Sequence, residues 1–305
     1  MRLLPVLILL LAGSLPAQVS FAPESIAVEI GGKPFTTFHY GVDAAKPFLA
    51  PLRAASGKIV TRGFPMQMLP GESRDHLHHR GLWFTYNDVN GVRFWENDPT
   101  YTRQPLGRVT VRGTSWKGPA GTLNAVMDWR DPAGKVLLVE NRDMTFRAEG
   151  DLRMIDFAIT LTAAVDATLG DTKEGAFAIR LAEEFTERRG GKIVNAEGLT
   201  GMVNCWGKRS AWVDYTGVIG GERLGVAIFD HPSNRRFPSF WHVRDYGLFS
   251  LNPFGQSSFN PDLDDNITKL KTGEKLSFRW RVVIHPGDAE SGRVAELYKA
   301  WAAAR

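Results

Sequence analysis

The chain has 305 residues, a formal net charge of +4 and one cysteine, Cys205. A lone cysteine excludes an internal disulfide, so stability rests on a large core, which a chain of this length can build. The basic residues are scattered, with only short pairs such as Arg188-Arg189 and Arg235-Arg236, and this excludes the clustered footprint of a nucleic-acid binder.

The chain opens Met1-Arg2, runs apolar from Leu3 to Ala12 with one break at Pro5, and exits through Gly13, Ser14, Pro16 and Ala17. A short positive start, a short apolar run and a small-residue exit predict a secretory signal peptide over residues 1–17. Cleavage after Ala22 also fits a small-x-small pattern. The apolar run is shorter than the roughly 20 residues a spanning helix needs, and no later segment reaches that length. The expectation is a secreted or periplasmic protein with no membrane span in its mature form, residues 18–305 making one domain.

Strand signals then dominate. Ser25 to Ile30 alternates and meets Gly31-Gly32, a hairpin signal, and Lys33 to Tyr40 resumes. Pro47 to Pro51 reads as a connector and Ile59 to Phe64 as a short strand. Arg108 to Arg112, Leu123 to Trp129 and Val136 to Arg147 follow, the last two joined by the turn Asp131-Pro132-Ala133-Gly134. Leu152 to Thr162 has the clearest period of two, with Ile155, Phe157, Ile159 and Leu161 on one face. Ala176 to Ala182, Cys205 to Tyr215 and Leu224 to Asp230 are further strands. Phe278, Trp280, Val282 and Ile284 again share a face. Only Val294, Leu297, Tyr298 and Trp301 recur at helical spacing, with Asp288 or Ser291 as a cap. The pattern predicts an all-β fold: a large antiparallel β-sandwich with a C-terminal helix.

Chemistry concentrates in Asp75 to Asn97. Of seven histidines, His76, His78 and His79 fall within four positions, beside Arg80, Trp83, Phe94, Trp95 and Glu96. Histidine moves protons or holds metals near neutral pH. If the segment is extended, His76 and His78 share a face and His79 points away. Two imidazoles on one face can share a divalent ion, with a third ligand from Glu96, Glu174, His231 or His242. Alternatively, they only bond loop carbonyls. Asp171-Thr172-Lys173-Glu174-Gly175 places two acids and a lysine before a strand, so Glu174 is a candidate acid or base and Lys173 a candidate binding group. The late loops carry Asp230-His231-Pro232 and Phe240 to Gly247, in which His242 and Arg244 interleave with Trp241. Such loops suit a planar or polyhydroxylated ligand, with Arg244 as a clamp for a carboxylate or keto oxygen, or else Phe240, Trp241 and Phe254 only seal the sandwich edge. His39, at the end of an early strand, joins the binding candidates. The absence of Gly-x-Ser-x-Gly and of a phosphate-binding glycine loop disfavours hydrolase-fold esterases and nucleotide enzymes.

Asp75-His76-x-His78-His79-Arg80-Gly81-Leu82-Trp83, Phe94-Trp95-Glu96-Asn97, Asp171-Thr172-Lys173-Glu174-Gly175 and Asp230-His231-Pro232 together resemble an exported bacterial family of otherwise unknown function, commonly labelled "methane oxygenase PmoA". The genuine methane monooxygenase subunit of that name is an integral membrane protein with several spanning helices. The resemblance therefore implies the family and not methane chemistry. At fold level that family is similar to galactose-mutarotase-like supersandwich proteins, which implies a concave-sheet site using histidine with a carboxylate on sugars. The combined expectation is an exported hydrolase or lyase acting on a glycoside or an oxidised sugar. Its catalytic residues are His76, His78, Glu174 and His231, and its binding residues are His39, Arg80, Trp95, Glu96, Lys173, Trp241, His242 and Arg244. One divalent metal on His76 and His78 is the cofactor option, and a small carbohydrate is the partner. The alternatives are a non-catalytic carbohydrate-binding protein and a copper-dependent oxygenase.

Overall fold

Period-two alternation of apolar residues gives each strand one face to bury, and two sheets can bury those faces against each other. In the computed structural model, which describes residues 15–98, 100 and 104–304, that is the architecture. Strands β1 (Ala17–Ala22), β2 (Ser25–Ile30), β3 (Lys33–His39), β4 (Phe48–Leu49) and β5 (Leu82–Tyr86) are five of the eight strands of a first sheet. The chain then crosses to a second sheet for β6 (Arg108–Lys117), β7 (Thr122–Arg130), β8 (Val136–Glu149) and β9 (Leu152–Ala163). After the short β10 (Ala167–Leu169), β11 (Gly175–Arg180) returns to the first sheet beside β5. The second sheet continues with β12 (Lys192–Asn195), one helical turn α1 (Met202–Cys205), β13 (Trp212–Ile219) and β14 (Glu222–Asp230). The first sheet closes with β15 (Phe240–Val243) and β16 (Leu248–Asn252), β17 (Thr268–Leu270) pairs with β10, and β18 (Lys275–Pro286) completes the second sheet. Each large sheet has eight strands, and the paired strands are antiparallel.

One core joins the two inner faces. Phe84, Phe177, Trp241, Phe249 and Leu251 from the first sheet meet Trp129, Phe157, Phe278, Trp280 and Ile284 from the second. The outer faces are covered separately. On the second sheet, the helix α2 (Val294–Ala302) lays Val294 and Trp301 over Met154, Trp212, Phe229 and Val283. On the first sheet, loops do the covering, over a smaller cluster of Phe48, Trp83, Trp95, Ala178 and Leu248.

The expected class of fold is what forms, and the differences are local. Pro47 to Pro51 contains the two-residue strand β4, which links β3 to β5. Ile59 to Phe64 makes only isolated bridges, with Arg53 and Leu181 as partners. Cys205 ends α1 instead of opening a strand, and β13 starts at Trp212. The α2 N-cap is Arg293 in the left-handed region, without a side-chain cap; Asp288 and Ser291 bond each other in the preceding turn. The signal-peptide expectation falls mainly on residues 1–14, outside the described residues. Cleavage after Ala22 would remove all of β1, which pairs with β2 along its whole length.

The layering makes α2 a stability element remote from the first sheet. Trp301 is 6% exposed and packs on Phe229 with ring centroids 5.9 Å apart. Trp301→Ala is expected to lower unfolding stability by about 3 kcal/mol, read from the urea midpoint at constant m.

Candidate active site

Register brings one polar and aromatic row together on the outer face of the first sheet. His39 lies opposite Phe48, Phe48 opposite Trp83, Trp83 opposite Ala178, Ala178 opposite Ser250, and Ser250 opposite His242. Directly opposed residues share a face, so this row crosses six strands. Arg180 follows Ala178 two residues on, on the same side.

The histidine segment folds over this row as a turn. Gly81, with φ +54°, delivers the chain into β5; a Cβ there would come within 2.1 Å of the Leu49 carbonyl oxygen. The His79 N–H donates to the His76 carbonyl at 2.9 Å, and His76 itself has φ 44°. Left-handed backbone at a histidine is uncommon and concentrates at functional sites. The turn overturns the expected extended geometry. His76 and His78 do not present parallel rings to one face: their rings meet edge-on, 5.7 Å apart. Instead His76 stacks on His79 at 4.6 Å and 6°, Tyr246 stacks on the other side of His76 at 5.3 Å and 11°, and Trp83 lies beyond His79 at 5.2 Å and 22°. The result is a column of four rings in the order Tyr246, His76, His79, Trp83.

A carboxylate with two buried guanidiniums fixes this turn. Arg62 Nη1 donates to Asp75 Oδ1 at 2.6 Å and Arg180 Nη2 donates to the same oxygen at 2.8 Å. Both arginine side chains are fully buried. Arg62 also donates to the carbonyls of Ser73, His76 and His79, so the loop wraps around one guanidinium. Asp75 Oδ2 faces His76 Nδ1 at 3.2 Å. Burial alone would raise the Asp75 carboxyl, but bonding to His76 and the charges of Arg180, His76 and Arg62 bring it well below the usual carboxylate range. An ionised Asp75 makes His76 Nδ1 the protonated nitrogen in the neutral ring, leaving Nε2 as the acceptor. The His76 side chain is 39% exposed, whereas His78 and His79 are buried. Burial, reinforced by the nearby charges of Lys46 and His76, pushes His78 down to about 2. Burial lowers His79 as well, and His79 Nδ1 accepts from Arg180 Nη1 at 3.3 Å.

The late loop and the Lys173-Glu174 loop meet at the same face. His242 Nδ1 donates to the Lys173 carbonyl at 3.1 Å, and its Nε2 accepts from Arg244 Nε at 3.1 Å. Burial pushes His242 down to about 3, helped by Arg244. Lys173 Nζ lies 3.3 Å from Glu174 Oε1. Glu174 is close enough for its charge, with those of Arg180 and Arg244, to act on the Tyr246 phenol, which burial raises.

Other predicted residues take supporting or remote places. His39 stacks on Phe48 at 4.9 Å and donates Nε2–H to the Ala50 carbonyl, at the far end of the row. Arg80 bonds Asp98, and Glu96 pairs with Arg93. Trp95 is fully buried beneath Trp83 and His79, so it supports the floor and offers no stacking surface to solvent. Trp241 is corrected outright. It neighbours His242 in a strand, so its ring points the other way, into the core against Phe249. His231 is also corrected. It follows β14 on the second sheet, bonds Ser233, and meets Trp301 of α2 edge-on at 5.0 Å. It does not join the histidine cluster.

Arg62, Arg180 and Trp206, whose ring lies 5.5 Å from the Arg244 guanidinium, fall outside the segments singled out for chemistry in the sequence, and Tyr246 lies inside one without having been given a role. Arg180 carried a signal, as a charged residue ending a strand that is otherwise Gly-Ala-Phe-Ala-Ile and buried throughout. The donor set does not fit a metal on His76 and His78. His76 Nδ1 is taken by Asp75, and Arg62, Arg180 and the buried Lys46 surround the pair with positive charge. Among the described residues, no group of three or more His, Cys, Asp or Glu side chains is arranged to hold an ion.

Neutral burial of these rings ties stability to pH. Unfolded, each histidine takes up a proton near pH 6.5, while the folded rings of His242 and His78 resist until about 3 and about 2. The unfolded state therefore binds protons first as pH falls. Stability is complete above about pH 6.5 and erodes progressively below it. Urea midpoints taken from about pH 7 to about pH 4 should decline, with a shallower slope in His242→Gln; a flat wild-type profile would contradict the burial of neutral rings.

Comparison with known proteins gives a family and a distant structural likeness. A model of a family of unknown function (DUF6807) matches residues 25–299. No curated protein sequence matches the chain. Among solved structures, a family 36 α-galactosidase from Geobacillus stearothermophilus is similar at 11% identity and TM-score 0.42, over 89% of this chain and 40% of that one. A polysaccharide lyase is similar at 14% identity and TM-score 0.34, over 94% and 34%. A family 97 glycoside hydrolase from Pseudoalteromonas sp. strain K8, in complex with acarbose, is similar at 12% identity and TM-score 0.35, over 89% and 35%. The chain spans two fifths or less of the length of these structures.

Proposed function

The chain belongs to the family of unknown function DUF6807, and on that premise we propose that it is an exported carbohydrate-processing enzyme, a hydrolase or lyase, with His76 as its proton-moving group. The observation that carries this reading is the Asp75–His76 pair. One half-exposed histidine has its Nδ1 tied to an ionised carboxylate, its ring clamped between Tyr246 and His79, and its Nε2 left to accept a proton. That combination orients a general base and stabilises the charge it acquires. Tyr246, stacked on it, and Glu174, whose charge reaches Tyr246, are the candidate partners for returning a proton.

A sugar is the ligand class that suits the surroundings. Trp206 and Tyr246 offer partly exposed aromatic faces, and Arg244, Lys173 and Glu174 offer donors and acceptors between them. Polyhydroxylated rings need this mixture of apolar face and fixed polar groups. His78, buried and neutral, is read as packing support for His79 and not as an acid. The matching family model is one of unknown function and carries no methane-oxygenase description, and copper oxygenase chemistry is not part of this reading, because the donors around His76 do not fit an ion. Export rests on the leader over residues 1–17, with cleavage after Ala17 keeping most of β1.

His76→Asn, Asp75→Asn and Glu174→Gln are the decisive variants, assayed on a panel of neutral and acidic glycans with product detection. His76→Asn is expected to cost about 100-fold or more in kcat with little change in KM. Full turnover in both His76→Asn and Glu174→Gln would remove the assignment. Saturable binding with no product from the wild type would favour a binding module instead.

A further inference from the structure

Arg244 differs from the other arginines around the site. Arg62 and Arg180 share Asp75, Arg80 has Asp98, and Arg93 has Glu96. Arg244 has no carboxylate within ion-pair reach among the described residues. Its side chain is nonetheless held firmly. The guanidinium carbon sits 5.5 Å from the Trp206 ring centroid, and Nε donates to His242 Nε2. His242 is itself locked by the Lys173 carbonyl. The backbone is fixed too: Arg244 N–H donates to the Leu248 carbonyl at 2.8 Å and to the buried Tyr215 hydroxyl at 3.1 Å. With Nε occupied, Nη1 and Nη2 have no hydrogen-bond partner among the described residues.

A half-buried, pre-aimed guanidinium whose charge the protein does not neutralise is a site waiting for an anion. Two parallel N–H donors match a planar carboxylate better than a single point charge would. Arg244 and Tyr246 belong to one tight turn, closed by the Gly247 N–H donating to the Arg244 carbonyl at 3.1 Å, and the Tyr246 ring stacks on His76, so the anion would lie on the same side of the site as the proposed base. We infer that Arg244, positioned by His242 and Trp206, recognises a sugar carboxylate, and that the substrate class is a uronate-containing glycan. The inference rests on the carbohydrate reading above and narrows it.

The placement also defines the chemistry available. Pairing a uronate carboxylate with Arg244 acidifies the hydrogen on the adjoining carbon. His76 Nε2 takes that proton, the electrons of the C–H bond form a carbon–carbon double bond, and the neighbouring glycosidic C–O bond breaks. The leaving oxygen takes a proton from Tyr246. Atoms and charges balance without an oxidant or a second substrate.

The test is calorimetric binding to the mature chain, using oligogalacturonate, a matched neutral galactan oligosaccharide, a sulfated galactan oligosaccharide and inorganic phosphate. Turnover is followed in parallel by the ultraviolet absorbance of an unsaturated uronate and by reducing ends. Wild type should prefer the uronate. Arg244→Gln should weaken uronate binding by about 10- to 100-fold, with Arg244→Lys between the two and a clearly smaller loss for the neutral sugar, so that the preference for uronate disappears. Thermal melts establish that the variants are folded, and His242→Gln, which removes the ring acceptor of Arg244 Nε, should weaken uronate binding less than Arg244→Gln. Equal uronate affinity in wild type and Arg244→Gln overturns the inference, as does preference for the sulfated, phosphate or neutral ligand. The carbohydrate reading survives those outcomes if a neutral glycan is turned over in a His76-dependent way. Failure to bind or turn over any glycan removes both.

Discussion

The clamp of Arg62 and Arg180 on Asp75 is the constraint on which the site depends. A loop rich in histidine and glycine has little reason to hold one shape on a sheet face. Here two buried guanidiniums give it one, because a buried cation needs its acceptors and will organise whatever chain supplies them. Arg62 takes three carbonyls of the loop, and Asp75 joins both arginines to the histidine turn. Removing Asp75 would leave two buried cations short of their carboxylate, so the loop and the charge cluster stand or fall together.

The same economy explains why the two outer faces of the sandwich differ. Each sheet has a second side that must be covered. On the second sheet an amphipathic helix supplies apolar cover with Trp301 and Val294. On the first sheet the cover is polar loops over a small aromatic floor of Phe48, Trp83 and Trp95. Apolar cover favours stability, whereas polar cover creates burial for titratable groups, and burial is what moves their proton affinities. His78, His79 and His242 are therefore kept neutral in the interior of the loop layer, while His76 at its surface keeps access to solvent. Depth thus separates the buried, neutral histidines from His76, which the Asp75 carboxylate orients.

Much of the fold was legible in the chain because strand periodicity is local. Ile155, Phe157, Ile159 and Leu161 announce a one-sided strand, and Val294, Leu297 and Trp301 announce the helix that covers the second sheet. The short strands β4, β15 and β16 were harder, since two to five residues carry too little periodic signal. The neighbourhood of the site was legible too, through the density of histidine and aromatics after Asp75. Alternation also separates neighbours: adjacent Trp241 and His242 in a strand turn to opposite faces, Trp241 into the core and His242 onto the outer face.

The sequence by itself determined the sandwich, the helix and the segments rich in reactive side chains, because these depend on spacing along a few neighbouring residues. The tertiary structure alone decided which of those side chains meet. Strand register set His39, Trp83 and His242 in one row although they lie far apart in the chain. A left-handed turn at His76 replaced the extended geometry and put His76 against His79 and Tyr246. Chain crossover between sheets sent His231 to the opposite side of the molecule, onto α2. Long-range pairing has no local signature, so Arg62, Arg180 and Asp75 become one unit only when β11 and the loop between β4 and β5 are brought together by folding.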